Sequence, residues 1–139
     1  MELKLSAAEI MAYLDDVFPQ MAGRFGIEAL EPMHLRCRMM VGTADLRPGG
    51  TVSGPAMFTL ADCAFYMATL AMIGKQALTV TTSCTINFMR KPGATDLWAE
   101  ARILKLGRSL SVGDVLIFSD GGEAPVAQAS LTYAIPPAR

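Results

Sequence analysis

Between Pro55 and Ile73 the chain reads PAMFTLADCAFYMATLAMI, an apolar run in which Asp62 is the one acidic or basic residue. A helix with one wet side shows a polar stripe, so this pattern predicts a single long helix, Ala56 to Gly74, buried nearly all round. Pro55 suits a first helical position and Gly74 a C-cap. Near the N-terminus Ser6 and Glu9 form a capping box. Ile10, Leu14, Val17, Phe18 and Met21 follow at helical spacing and predict an amphipathic helix from about Ala7 to Gly23, bent or ended by Pro19. From Met33 the pattern changes to near alternation, with Leu35, Cys37 and Met39 against His34, Arg36 and Arg38, as in a half-exposed strand.

Further on, Leu78 to Met89, Leu97 to Leu106, Ser109 to Phe118 and Pro125 to Ile135 are rich in β-branched residues and predict strands, separated by the turn segments RKPGATD, LGRS and SDGGEA. The last three read as an antiparallel meander with one covered face. Helix, strand, helix and four strands make an α+β domain. The 139 residues form one domain, residues 1–139, with PPAR as a frayed tail. The stretch from Leu46 to Pro55, LRPGGTVSGP, holds two prolines and three glycines and must be irregular.

Composition narrows the functions. Hydrophobic residues make up 52% of the chain and charged ones 18%, so polar surface is scarce and part of the apolar surface is expected in a subunit interface. Lys and Arg total 12 against 13 Asp and Glu, with no basic block, which argues against a nucleic-acid partner. Cys37, Cys63 and Cys84 are odd in number and widely spaced; they read as reduced thiols of a cytoplasmic protein. The N-terminal segment lacks the features of a signal peptide. The apolar helix is long enough to raise the question of lipid, but a carboxylate at its middle and the strand-patterned remainder favour a sheet wrapped around it, with no membrane.

Asp62 lies beyond the first turn, where a cap or the helix dipole would account for it, and Asp is a poor interior residue. Two readings stand. In one, it hydrogen-bonds a hydroxyl or main-chain group, such as that of Thr59 or Thr85, and specifies packing. In the other, it faces an interface cleft where partial desolvation raises its basicity for work as a general base or nucleophile. Gly54, just before the helix, is either a turn glycine or the carrier of a free N–H that, with the helix dipole, polarises a carbonyl oxygen.

The order of a Gly-rich turn, an apolar helix with one acid, TINFMRKPG and a three-stranded meander resembles the hotdog-fold thioesterases of the phenylacetate-degradation (PaaI) type, over about residues 25 to 136. In that family a turn of the form N-x-x-G-x-x-H-G-G precedes the helix, and an Asp follows nine residues after the His. The run here is RPGGTVSGP, with Asp62 nine after Ser53. Arg47 stands where the family often has Asn, Ser53 where it has His and Pro55 where it has the second Gly.

The resemblance implies an antiparallel sheet wrapped round the central helix, with an N-terminal helix. It implies hydrolysis of an acyl-CoA with Asp62 as catalytic carboxylate and Gly54 as the N–H that holds the thioester carbonyl. Sites of this family lie between subunits, so a dimer or dimer of dimers follows. Ser53 can offer a hydroxyl, Arg47 takes the Asn position, and Thr81 is a contact to the attacking water from the partner. Arg90, Lys91 and Arg108 are either phosphate contacts to coenzyme A or solvated surface charges. No cofactor beyond the coenzyme A of the substrate is implied.

Competing chemistries are weaker. VSG lacks the flanking glycines of a serine hydrolase elbow, and His34, the sole histidine, lies in the charged alternation of a strand. The chain has no metal motif. A hydratase would pair the carboxylate with a histidine. A catalytically silent hotdog domain that binds acyl-CoA or serves in assembly is the rival from another class. Met39, Met40, Met57, Met67, Met72 and Met89 line an acyl pocket or fill the core.

Overall fold

The computed structural model describes residues 2–137. The expected tail therefore falls partly outside the described residues.

Helix α1 spans Ala7–Val17, closed at its start by the capping box: Ser6 N–H donates to Glu9 Oε1 at 2.9 Å and Glu9 N–H to Ser6 Oγ at 3.1 Å. It buries Ile10 and Leu14. It ends well short of Gly23, because the residue before a proline is driven out of the helical region; Phe18 closes the last turn onto Leu14, and Pro19–Met21 form a single 3₁₀ turn.

A strand absent from the sequence prediction follows. Strand β1, Phe25–Glu31, pairs antiparallel with β2, His34–Met39. Its alternation is broken by a bulge between Ile27 and Ala29, and Phe25 is its one buried residue, so the period-two signal is lost. In β2 the predicted alternation holds, with Leu35, Cys37 and Met39 fully buried.

Helix α2 spans Gly54–Ile73, with Pro55 in its first turn and Gly74 closing it at φ 93°. Every residue from Cys63 to Met72 is buried. Four further strands complete the sheet: β3 Val80–Phe88, β4 Leu97–Leu106, β5 Leu110–Ser119 and β6 Ala127–Ala134. The order is β1-β2-β4-β5-β6-β3, antiparallel throughout. This six-stranded sheet curled about one long helix is the hotdog fold.

The helix lies close to the sheet because the facing rows are small: Ala99 and Ala101 on β4, Gly113 on β5, Ala127 and Ala129 on β6. Phe65 fills the space over Gly113. Each fully buried Leu or Phe of the helix contributes about 1.5 to 3 kcal/mol. The polar Thr69 is satisfied by Ser111, Oγ1 to Oγ at 3.0 Å. Although α2 is long and apolar enough to cross a membrane, 78% of its most apolar window is buried in the protein, so sheet covers it.

Burial is incomplete along one line. Pro55 and Phe58 are exposed, and Thr59 and Asp62 half-buried, at the i, i+3, i+4, i+7 spacing of a single helix face. The adjoining strand is the sheet edge β3, of which no residue is fully buried; Val80 is 56% and Phe88 53% exposed.

Candidate active site

Asp62 sits on this uncovered face. Its Oδ1 accepts from Thr81 Oγ1 on β3 at 2.6 Å and from the Tyr133 hydroxyl on β6 at 2.5 Å. The same tyrosine oxygen lies 2.8 Å from the Asp62 main-chain carbonyl. Oδ2 takes no hydrogen bond among the described residues and is not among the buried unpartnered atoms, so it faces solvent. Asp62 does meet hydroxyls, but not the two named from the sequence: Thr59 Oγ1 donates to the Pro55 carbonyl at 3.0 Å, and Thr85 is exposed.

Within one chain Thr81, a residue expected at the site, holds Asp62. The cause is the strand order: β6 brings β3 alongside, with Thr81 paired to Tyr133, so both hydroxyls converge on the middle of α2. Tyr133 escaped sequence reasoning. The signal was present, because the inward row Ala127, Ala129, Leu131 ends on a tyrosine, whose hydroxyl needs a partner when buried.

Burial, then the charge of Asp62, pushes the Tyr133 hydroxyl well above its ordinary range, so it remains a donor. The same two causes push the Cys63 thiol up to about 12 and raise that of Cys84. These thiols stay protonated and inert as nucleophiles near neutral pH.

The Gly-rich turn has a defined shape. Leu46 bridges Val52, Arg47 N–H bonds the Thr51 carbonyl at 2.8 Å, and Gly49 and Gly50 turn the chain at φ 100° and 81°, values that favour glycine. Arg24 anchors it through an ion pair with Asp45, and Ser53 N–H bonds the Asp45 carbonyl at 2.7 Å. Ser53 caps α2, its Oγ accepting from Ala56 N–H at 3.2 Å, which leaves its hydroxyl proton free for another acceptor.

Beside this turn lies an open cavity of about 390 Å³, lined by Arg47, Gly54, Met57, Phe88, Arg90 and Lys91 among others. The structure thus gathers Gly54, Arg47, Arg90 and Lys91, and it adds Phe88, whose ring lies 3.4 Å from where a Cβ on Gly54 would stand. Arg90 Nη1 also donates to the Pro125 carbonyl at 2.7 Å. Arg108 is not with them in one chain: it lies in the β4–β5 turn, beside Gln76 and Ile135 at the other end of the sheet. Nor does His34 approach Asp62. It projects from the outer sheet face, with Nε2 2.7 Å from Glu100.

The family model of the thioesterase superfamily matches residues 49–126, which include α2 and the turn before it. The chain belongs to the thioesterase superfamily. Among solved members, a candidate thioesterase from a Silicibacter species is 53% identical, with a TM-score of 0.92 over 99% of this chain and 96% of its own. A mutant of the phenylacetic acid degradation protein PaaI of Thermus thermophilus is 27% identical, with a TM-score of 0.73 over 85% of this chain and 99% of its own. A Streptococcus mutans protein bound to acetyl CoA shares the fold at 24% identity and a TM-score of 0.72, over 83% of this chain and 90% of its own. None of the curated proteins matches. The acid of this chain stands on the central helix, nine residues after Ser53, which caps it.

Proposed function

We propose that the protein is a cytoplasmic acyl-CoA thioesterase whose site is shared by two copies of the chain. The observation that carries this reading is the asymmetric anchoring of Asp62: Oδ1 is held by two hydroxyls and Oδ2 is free on a face that the chain's own sheet leaves open. Membership of the thioesterase superfamily and the acetyl CoA of the Streptococcus mutans relative support a coenzyme A thioester as substrate.

Gly54 and Asp62 lie eight positions apart on α2, about 12 Å of rise and about 80° around the axis. Within one chain the carboxylate turns to Thr81 while Gly54 faces Phe88, so the pair does not close around one carbonyl. A second copy supplies the match. Joining two exposed β3 edges antiparallel about Cys84 sets Thr81 of one copy opposite Asn87 of the other. Asp62 beside Thr81 then meets the Phe88 and Gly54 end of the second copy. The same pairing covers the exposed Val80 and Phe88 and removes an unpaired edge. A dimer, or a dimer of dimers, is the form of the enzyme in this reading.

In the reaction, Asp62 Oδ2 takes a proton from water as the water oxygen attacks the thioester carbonyl carbon. The developing oxyanion is held by the Gly54 N–H and the positive end of α2. Collapse breaks the carbon–sulfur bond, and the departing thiolate recovers the proton, giving acid and free coenzyme A. Direct attack by the carboxylate, followed by hydrolysis of the anhydride, gives the same products. Arg47, Arg90 and Lys91 at the cavity mouth supply positive charge for the coenzyme A phosphates, Ser53 lends its hydroxyl proton, and Arg108 joins them only if another subunit brings it near. The alternative, a silent acyl-CoA-binding domain, draws on Arg47 and Ser53 standing in place of the family's Asn and His.

Thiol release from a panel of acyl-CoAs tests the activity; binding without release selects the silent domain. The shared site is tested by mixing Asp62→Asn with Gly54→Val, each inactive alone. After subunit exchange the mixture regains about a quarter of parent activity if each site takes one residue from each chain, since half the dimers are mixed and carry one good site. No recovery, with exchange verified, removes the shared site.

A further inference from the structure

We infer that Tyr133 is a positioning residue: together with Thr81 it fixes Oδ1 of Asp62 so that Oδ2 alone is presented to the reacting water. This rests on the reading of Asp62 as the carboxylate that activates water. The geometry carries it. Tyr133 is 3% exposed, and its ring packs against Phe65 and Tyr66 with centroids 5.6 and 6.0 Å away, so the phenol has little freedom to leave. Its oxygen lies within bonding distance of both Asp62 Oδ1 and the Asp62 main-chain carbonyl.

A phenol has one proton to give. While Asp62 is charged, the carboxylate is the stronger acceptor and draws it. When Oδ2 takes a proton from water and the charge disappears, the same proton can turn to the main-chain carbonyl. The donor is therefore satisfied before and after proton transfer, and no buried group is orphaned on the way. With two hydroxyls on one oxygen, rotation of the carboxylate would break both bonds. The titratable groups that feel the Asp62 charge are Tyr133 on β6, Cys84 on β3 and Cys63 on α2. Of these, the Tyr133 hydroxyl is the one hydrogen-bonded to Oδ1.

A residue that only filled the core would be served equally by phenylalanine. Tyr133→Phe keeps the ring and removes the donor. The expected result is a kcat roughly ten- to a hundredfold lower with KM little changed, from a carboxylate free to turn. Because hydroxyl donors favour the charged form, the acidic limb of the kcat/KM profile moves to higher pH, and the carboxyl ¹³C resonance of Asp62 titrates at higher pH in parallel. Thr81→Val, which removes the other donor at similar volume, shifts both measurements in the same direction. An unchanged pH profile and unchanged ¹³C titration in folded Tyr133→Phe overturn the inference. If the parent releases no thiol from any acyl-CoA, the proposed function fails, while the ¹³C titration still decides the role of Tyr133.

Discussion

Replacing Asp62 by Asn separates the chemical role of the carboxylate from its structural one. The amide oxygen can take the place of Oδ1 and accept from Thr81 and Tyr133, whose oxygens stand 2.6 and 2.5 Å away, while the NH₂ takes the solvent-facing place of Oδ2. What is lost is the extra strength of two charge-assisted hydrogen bonds; what is gained is relief from burying a charge. The two nearly offset, leaving a net change of about 1 kcal/mol or less, or about 4 °C in Tm for a chain of this size. Asp62→Ala costs little more, because Tyr133 keeps the Asp62 main-chain carbonyl at 2.8 Å and only Thr81, itself half-buried, loses its acceptor. Activity behaves differently. Loss of a general base removes about 10²- to 10⁴-fold of kcat, equivalent to roughly 3 to 5 kcal/mol of barrier. Thermal unfolding and a thiol-reactive dye assay on the same preparations measure the two effects. Turnover by Asp62→Asn within tenfold of the parent refutes the role of the carboxylate; a loss of several kcal/mol with intact chemistry makes Asp62 a structural anion.

Three further outcomes follow from other parts of the molecule. Gly113→Ala drives a Cβ into the Arg102 carbonyl and to 2.6 Å from Phe65 Cε1, and because paired backbone cannot give way it should cost about 3 kcal/mol, the upper end for overpacking; a chemical denaturation midpoint close to the parent's would contradict this. Arg90→Ala with Lys91→Ala should raise KM for an acyl-CoA roughly fivefold at low salt, yet leave a short N-acetylcysteamine thioester unaffected, since only the former carries phosphates; equal effects on both substrates argue against phosphate contact. Glu28 titrates below the usual carboxylate range because of its hydrogen bond from Arg38, reinforced by Arg36. Its contribution is therefore present above the ordinary carboxylate pKa and lost as pH falls through the lowered one, so Glu28→Gln should flatten the acidic arm of the Tm–pH curve, and an unaltered arm would speak against the pairing.

The elements governed by local chemistry were legible in the residues. Pro55 and Gly74 mark the ends of α2, the capping box starts α1, and the alternation of β2 and the bounds of β4 come through because side-chain period and turn residues act over a few positions. Strand β1 was hidden because a bulge and an exposed edge erase the alternation by which a strand is recognised. Asp62 stood out as a lone charge in an apolar helix, and Gly54 as the end of a glycine-rich turn.

Which hydroxyls meet that charge was settled by the tertiary structure. Thr81 is 19 residues from Asp62 and Tyr133 is 71, and only the placing of β3 beside β6 brings both to one oxygen. The gathering of Arg47, Arg90 and Lys91 at one cavity, and the separation of Arg108 from them, likewise follow from strand order. A residue pattern records whether a position prefers water or core, since that preference is written in the side chain itself. It does not record which distant group will share the position, since that depends on how the whole sheet closes around the helix.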